Sequence, residues 1–277
     1  MAITSFYVTE PKLRRIEKSI YIDRIVHRWY VDNFMQEHFV KSFSYSSFAC
    51  LKSKGMHNAC LYVQEMMKYC KRIWNNYYII KMDVTKYFKN IDKQILYEIL
   101  CRKIKDKNLL WLSREILYSN GVDKGLPIGN YTSQCFANIY LNELDQYMKH
   151  KLKLKYTCRY MDDVVALVNT KEEAIEKLNL IRSFLKDKLC LELNRKTQIF
   201  KSTQGVNFCG YKINEYRLKI RDKGKRKLKK KVKFLEKQVK QGKMTCIEAH
   251  KYLSGHLGYI NVASTKNLEN KLFATEI

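Results

Sequence analysis

The chain has 277 residues, of which 46% are apolar, so it is long enough for a sizeable core and is not disordered. Its 53 Lys and Arg against 27 Asp and Glu give a formal net charge of +26, which indicates a polyanionic partner, first nucleic acid and second an acidic membrane surface. No apolar run is long enough for a signal peptide or a membrane span, so we expect a cytoplasmic protein with no membrane partner. The nine cysteines form no C-x-x-C pair, and we predict no zinc site.

Apolar residues recur at helical spacing in four segments. The pattern predicts helices over 16–39, from an N-cap at Asp92 onward, over 130–152 and over 172–189. Strands are predicted at 77–84, on both sides of a turn in "TCRYMDDVVALV", and as a short pair in "GVNFCGYKI". The order is mixed α and β without the regular βαβ alternation of a Rossmann fold.

The segment 217–243 is unusually basic, with 14 basic residues and two acidic ones. Helical spacing of Leu228, Val232, Leu235 and Val239 predicts a helix with one apolar and one basic face. A surface that only interacts with solvent usually mixes charge signs, so we expect this basic face to contact phosphates, with an affinity that falls steeply with salt. The capping box "TCIE" predicts one more helix after it.

Three aspartates carry the candidate chemistry. Asp162 and Asp163 lie side by side at the expected apex of a hairpin, and Asp83 ends an apolar strand. Adjacent carboxylates repel each other unless a cation lies between them. A pair alone is more typical of a turn whose aspartates bond to backbone. Together with Asp83, however, the pair is what two Mg²⁺ ions need, and these hard oxygens suit Mg²⁺, with Mn²⁺ as a substitute.

The chain resembles the reverse transcriptases. "MDVTKYF", "GLPIGNYTSQ", "YMDD", "NRKT" and "FCGY" occur in the order and spacing of their palm motifs, and "PKLRRI", "DRIVH" and "SSFACLKSKG" are similar to their fingers motifs. The resemblance implies an α+β right-hand polymerase with an antiparallel palm sheet backed by helices. It implies fingers at 1–76 and about 104–124, a palm at 77–103 and 125–213, and a thumb at 214–277.

Roles follow from the resemblance, position by position. It implies Asp83, Asp162, Asp163 and the Val84 carbonyl as metal ligands, and Lys196 as the acid that protonates pyrophosphate. Lys196 is adjacent to Arg195 in a lysine-rich chain, so a plain surface lysine is the alternative. The resemblance also implies contacts to the incoming nucleotide for Lys12, Arg14, Tyr87, Ile128, Gly129 and Gln134. Contacts to nucleic acid are implied for Tyr160, Met161, Cys209, Gly210, Tyr211, Lys225, Arg226, Lys229 and Lys230.

Simpler structural roles are open at three of these positions. Tyr87, expected to be the gate beneath the nucleotide sugar, is also typical of a core aromatic residue. Gly129 is also typical of a tight turn, and Gln134 of the start of a helix.

The segment "GLPIGNYTSQ" narrows the resemblance. Most reverse transcriptases carry a Gln-Gly and Ser-Pro pattern where this chain has Ile128-Gly129 and Ser133-Gln134. That departure resembles the enzymes of diversity-generating retroelements, relatives of group II intron reverse transcriptases that copy a template-repeat RNA with errors at adenines. Isoleucine lacks the amide with which glutamine fixes local geometry, so mispairs would be penalised less. Template RNA, primer or cDNA, dNTPs and a small helical oligomeric accessory protein are the implied partners.

Two alternatives stay open. One keeps the chemistry in an antiviral-defence, retron-associated or CRISPR-associated enzyme, although the pattern at Ile128 and Gln134 argues against a retron. The other is a catalytically idle RNA-binding scaffold, which the intact aspartate trio argues against. On domain-size grounds we expect no ribonuclease H or endonuclease domain after the thumb. We also expect an N-terminal extension of relatives to be missing or replaced by a partner.

Overall fold

The computed structural model of the chain describes residues 3–9 and 13–263. The predicted nucleotide contact Lys12 and the last part of the predicted thumb, 264–277, lie outside the described residues. The strands are β1 (Ile3–Val8), β2 (Arg14–Ser19), β3 (Tyr78–Asp83), β4 (Tyr156–Tyr160), β5 (Asp163–Val168), β6 (Gln198–Lys201), β7 (Val206–Phe208), β8 (Tyr211–Ile213) and β9 (Leu218–Ile220). The helices are α1 (Tyr21–Tyr30), α2 (Gln36–His38), α3 (Met56–Trp74), α4 (Tyr87–Asn90), α5 (Lys93–Lys103), α6 (Lys107–Leu117), α7 (Tyr131–Gln146), α8 (Lys171–Leu189), α9 (Asp222–Lys240) and α10 (Cys246–Val262).

A four-stranded antiparallel sheet in the order β4-β5-β3-β6 is the centre of the molecule. Successive side chains of a strand point to opposite faces, so the sheet has two apolar faces. Ile80 and Val164 pack into one core with α5, α7 and α8. Ile79 and Val165 pack into the other with α3 and the C-terminal elements. This confirms the expected antiparallel sheet backed by helices.

A second antiparallel sheet, β7-β8-β9, follows the central one and packs on α3. Helix α9 buries Leu228, Val232 and Leu235 beside this sheet, and α10 packs against α9. The capping box at Thr245 is present, and Asp92 caps α5 by accepting the Ile95 N–H at 3.1 Å. No helix among the residues described combines the length and the apolar character that a membrane crossing requires.

The predicted helix over 16–39 is wrong in its first part. Residues up to Ser19 form β2, which pairs with β1, and the helix starts at Tyr21. The sequence pattern could not show this pairing partner. Within this helix His27 and Tyr30 are buried, whereas Ile25 and Trp29 are about half exposed.

The basic segment 217–243 does not begin as a helix. Its first residues form β9, in which Leu218 and Ile220 alternate inward with an exposed Lys219, and α9 starts at Asp222. An alternation of only three residues is too short to outweigh the helical spacing that follows it.

Candidate active site

The three predicted aspartates meet at one end of the central sheet. Asp83 is the last residue of β3 and pairs in register with Asp163, the first residue of β5. Met161 and Asp162 form the turn between β4 and β5, here called the aspartate turn, and Met161 adopts a left-handed φ of 54°. The strand register therefore brings together carboxylates that are about 80 positions apart in sequence.

Burial and neighbouring charges both act on the Asp162 carboxyl at this end of the sheet. Burial raises the pKa of Asp162 above its usual value, and the charge of Asp83 raises it further. Arg14 and Lys81 act in the opposite direction, which places both cations near the carboxylates. A bound cation would relieve the repulsion at this site.

Lys81 is a site residue that sequence reasoning missed. It lies two positions before Asp83, so strand alternation places both side chains on the same face of β3. Its ammonium forms an ion pair with Asp163 and lies 5.2 Å from the centre of the Phe208 ring. Burial lowers the pKa of Lys81 to about 8. A lysine inside an otherwise apolar strand was the signal that could have identified it.

The donor chemistry of the site fits a hard divalent cation, since every candidate ligand is an oxygen. Within residues 3–9 and 13–263, however, no three acidic, His or Cys side chains are gathered into a ready metal cluster. Lys81 instead neutralises Asp163. A metal bound by all three aspartates would have to displace the Lys81 ammonium from Asp163.

The "NRKT" motif is fixed beside Asp83. The Asn194 N–H donates to the Asp83 carbonyl at 2.7 Å, and the Lys196 N–H donates to the Asn194 side-chain oxygen at 3.0 Å. Val84, expected to offer its carbonyl to a metal, forms a bridge with Leu193 in the same segment. Lys196 is exposed on this turn, two residues after Asn194, and its acid role stays a prediction.

Tyr87 is buried in the core beneath the site. Its ring packs edge-on against Phe88, with centroids 5.6 Å apart, and its hydroxyl donates to the Ala137 carbonyl of α7. Burial raises the pKa of Tyr87 well above its usual value, so the hydroxyl stays protonated. Tyr87 is only 2% exposed, and its gate role stays a prediction.

Arg159, immediately before the "YMDD" residues, is the centre of a buried network that sequence reasoning also missed. Its guanidinium donates to both carboxylate oxygens of Asp145 at 2.7–2.9 Å, and both side chains are buried. The remaining N–H groups donate to Asn138 at 3.0 Å, to Ser47 at 3.0 Å and to the Met161 carbonyl at 3.2 Å. The network therefore ties the aspartate turn to α7 and to the N-terminal part of the chain.

The loop that contains Ile128 and Gly129 is hydrogen-bonded to strand β2. The Ile128 carbonyl accepts the Glu17 N–H at 2.8 Å. The Asn130 side chain accepts the Ser19 N–H at 2.9 Å and donates to the Ser19 hydroxyl at 3.0 Å. These bonds position Arg14, at the start of β2, near Asp162.

A glycine is needed at position 129 because of its backbone conformation and because strand β2 approaches it closely. Its φ is +146°, and an added Cβ would lie 2.7 Å from the Glu17 carbonyl oxygen and 2.9 Å from the Ile16 side chain. The alternative role in a tight turn is thus only part of the explanation.

Gln134, six residues after Ile128, is exposed on α7 and accepts a hydrogen bond from the Cys50 thiol at 3.3 Å.

We expect Gly129→Ala to lower the free energy of unfolding by about 3 kcal/mol, through backbone strain and overpacking against β2. Gly121→Ala is the matched control, because Gly121 has a φ of +69° with nothing within 4 Å of its added Cβ. Its cost is expected to be about 1 kcal/mol, from the left-handed backbone alone. Chemical denaturation measures both values, and equal losses would show that contact with β2 is unimportant.

The "FCGY" turn packs between three parts of the chain. Cys209 and Gly210 form the turn with positive φ values of 45° and 87°, and both reach the surface. Tyr211 is fully buried, stacks on Tyr259 at 5.3 Å and bonds to His57 at 3.1 Å. Tyr211 therefore supports the turn from inside, and its expected direct contact with nucleic acid stays a prediction.

Other predicted nucleic-acid contacts lie on accessible surfaces. Tyr160 and Met161 are partly buried beside the aspartate turn. On α9, Arg226, Lys229 and Lys230 are exposed on the side away from the buried leucines, and Lys225 is half-buried and forms an ion pair with Asp222 at 3.5 Å. This arrangement leaves the basic face of α9 open to phosphates.

Comparison with known proteins gives a family model described as "Reverse transcriptase (RNA-dependent DNA polymerase)", which matches residues 12–213. The COX1/OXI3 intron 2 protein of Saccharomyces cerevisiae is 25% identical over 237 residues, covering 62% of this chain and 27% of that protein. Protein YkfC of Escherichia coli is 25% identical, covering 73% of this chain and 63% of its own length. The Retron Ec73 reverse transcriptase of Escherichia coli is 27% identical, covering 66% of this chain and 61% of that protein. The chain thus spans between about a quarter and two thirds of these relatives.

Solved telomerase structures share the fold. Apo telomerase from Candida tropicalis, truncated from its C-terminal domain, superposes with a TM-score of 0.55 at 12% identity, covering 79% of this chain and 55% of that one. The same species' telomerase in complex with a TWJ fragment of telomeric RNA gives a TM-score of 0.59 at 12% identity, covering 93% and 54%. At this identity the similarity concerns fold alone, and it confirms the right-hand polymerase architecture expected from the sequence.

Proposed function

This chain belongs to the reverse transcriptase (RNA-dependent DNA polymerase) family, and from that premise we propose that it extends a primer with dNTPs along an RNA template. The observation that carries the proposal is the register that sets Asp83 opposite Asp163, with Asp162 in the adjoining turn. Three carboxylates at one sheet end, with a raised pKa at Asp162, form a site that favours divalent cations.

We propose that Asp83, Asp162, Asp163 and the Val84 carbonyl hold Mg²⁺, for which Mn²⁺ can substitute. The chemistry supplied by two bound ions is activation of the primer 3′-hydroxyl and stabilisation of the pyrophosphate leaving group. Arg14, already near Asp162, binds the triphosphate as a bidentate donor, with Lys12 as a second cation in the same segment. Lys196 donates the proton that the leaving pyrophosphate requires.

The path of the nucleic acid follows from the accessible residues. The primer end lies beside Tyr160, Met161 and the Cys209-Gly210 turn, and the basic face of α9 contacts the duplex phosphates. In this arrangement 1–76 and about 104–124 form the fingers, 77–103 and 125–213 the palm, and 214–277 the thumb. The protein acts in the cytoplasm on a template RNA and a primer or cDNA.

The finer proposal is an error-prone enzyme of a diversity-generating retroelement, assisted by a small helical oligomeric accessory protein. It rests on Ile128 and Gln134, which replace the pattern common in the family. Ile128 is half-buried, and its carbonyl bonds to β2, the strand that begins with Arg14. An isoleucine there offers no amide to check pairing geometry.

A second candidate keeps the same chemistry in a retron or defence system. The relationship to the Retron Ec73 reverse transcriptase favours it. A scaffold that binds RNA without catalysis is a third and weaker candidate, since Asp83, Asp162 and Asp163 are all present at one sheet end.

Primer extension on a defined RNA template with Mg²⁺ and four dNTPs, with products sequenced by template base, separates these candidates. We expect cDNA with errors concentrated opposite adenine, and we expect Ile128→Gln to reduce those errors several-fold while Ile128→Val, the apolar control, leaves them unchanged. Uniformly accurate cDNA would favour the retron or defence enzyme. No product, even with cognate RNA and partner supplied, would favour the scaffold.

A further inference from the structure

A groove on the outside of the molecule combines aromatic rings with positive charge. It lies between the outer side of α3 and the start of β4, has a volume of about 650 Å³ and is lined by Tyr62, Glu65, Met66, Lys68, Tyr69, Arg72, Lys155 and Tyr156. We call it the outer groove. Its volume is within the range of ligand pockets, roughly 300–1,000 Å³. Its charged side chains are largely exposed to solvent.

The rings of the outer groove form a connected set. Tyr69 lies 5.6 Å from Tyr156, which in turn lies 5.3 Å from Trp74, and the Arg72 guanidinium lies 5.3 Å from the centre of the Tyr69 ring. Tyr69 is 43% exposed, which is a large fraction for an aromatic ring with these neighbours. Exposed rings held by other rings offer flat surfaces on which a base can stack.

Exposed lysines precede the groove residue Tyr156 in the sequence. In "KLKLKY", Lys151, Lys153 and Lys155 are exposed, while the intervening Leu152 and Leu154 are buried. Three exposed ammonium groups thus lie within the five residues before Tyr156. On α3, Lys68 pairs with Glu65 at 2.7 Å, but such a surface pair contributes little and does not prevent contact with phosphate.

The outer groove lies away from the candidate active site. Tyr156 begins β4, whereas Tyr160, beside the aspartate turn, ends it. Four residues of strand separate them by about 13 Å. On α3, Met56 and His57 contact Tyr259 and Tyr211 near the "FCGY" turn, and the groove residues follow further along the same helix. A nucleic acid bound beside the aspartate turn, a region we call the cleft, would therefore not fill the groove.

We propose that the outer groove is a second binding site for single-stranded nucleic acid, which holds an RNA segment outside the polymerase cleft. Three basic residues, Lys68, Arg72 and Lys155, line the groove together with one acid, Glu65, and Lys151 and Lys153 precede Lys155 in the chain. Protein–protein interfaces are depleted in lysine, whereas nucleic-acid sites combine lysine and arginine with stacking rings. The site goes beyond the proposed function, because it does not depend on catalysis.

The test is anisotropy of a labelled 30-nucleotide oligouridine RNA with the cleft saturated by an unlabelled short primer–template duplex. The groove variant carries Lys68→Gln, Arg72→Gln and Lys155→Gln, the three basic residues that line the groove. The control variant carries Arg182→Gln, Lys186→Gln and Lys188→Gln on α8 and loses the same three positive charges. Helix α8 packs on the opposite face of the central sheet from the groove. We expect Kd to rise at least tenfold in the groove variant only, with the slope of log affinity against log salt reduced by about 2.

Equal weakening by both triple variants, or none by the groove variant, would overturn the site, and an acidic peptide would then be the better partner. Stacking is tested separately with Tyr69→Ala and Tyr69→Phe. Alanine is expected to weaken binding about tenfold and phenylalanine less than twofold, because it keeps the ring. Equal loss in both would contradict stacking. Failure of the duplex to bind would count against the proposed function, whereas the difference in RNA affinity between the groove variant and its control would still report on the groove.

Discussion

Asp162→Asn is expected to reduce single-nucleotide incorporation by about a thousandfold or more while leaving the protein folded. Losing one carboxylate of the trio removes several kcal/mol of metal-derived stabilisation of the transition state, and each 1.4 kcal/mol is about tenfold in rate. The fold should not suffer, because burial and the charge of Asp83 already disfavour the Asp162 carboxylate in the absence of a cation. Rapid-quench incorporation on an RNA template measures the rate, and thermal unfolding measures the stability.

Mg²⁺ distinguishes this effect from general damage. A ligand that binds the folded state raises its melting temperature by mass action, so Mg²⁺ should stabilise the wild type and not Asp162→Asn. Asp187→Asn is the matched control, since Asp187 is an exposed aspartate on α8. It should keep the wild-type rate and Mg²⁺ response. Incorporation by Asp162→Asn within tenfold of wild type would refute our assignment of the site.

The features that sequence reasoning predicted correctly are those with local signals. The hairpin at "YMDD" and the strand ending at Asp83 have strong strand periodicity, and their antiparallel pairing places the aspartates together. The core residues of α7, such as Phe136 and Tyr140, follow from helical spacing and are fully buried. A repeating apolar pattern specifies which side is buried, and that was sufficient for the sheet and its covering helices.

The features that were missed depend on partners distant in sequence. Strand β2 exists because it pairs with β1 and bonds to Ile128 and Asn130, more than 100 positions later. Arg159 looks like one basic residue among 53 until the fold sets Asp145 against it. Local patterns carry no information about such contacts, because they arise only when separate elements pack.

The Arg159–Asp145 ion pair gives the second large effect. Asp145→Asn would leave a buried guanidinium without its counter-charge, and breaking a buried pair in this way costs about 3–5 kcal/mol. The melting temperature should fall by roughly 6–20 °C. Incorporation should also slow, since the same guanidinium donates to the Met161 carbonyl in the aspartate turn.

A double variant separates stability from positioning. Arg159→Met with Asp145→Leu removes both charges, and replacing a buried pair by apolar side chains of similar size is often neutral or stabilising. We therefore expect the double variant to regain much of the melting temperature that Asp145→Asn loses. Incorporation should stay slow, because no donor then reaches the Met161 carbonyl and the turn that presents Asp162 is less tightly held.

The comparison of the two readouts decides the role of the network. Recovery of both stability and rate in the double variant would mean that Arg159 only supports the fold. A loss below about 1 kcal/mol in Asp145→Asn would mean that the pair is not buried and bonded as described. Recovery of stability without rate would mean that the guanidinium positions the carboxylates for the reaction. That outcome would also explain why a chain with so many surface lysines keeps one arginine buried beside its aspartates.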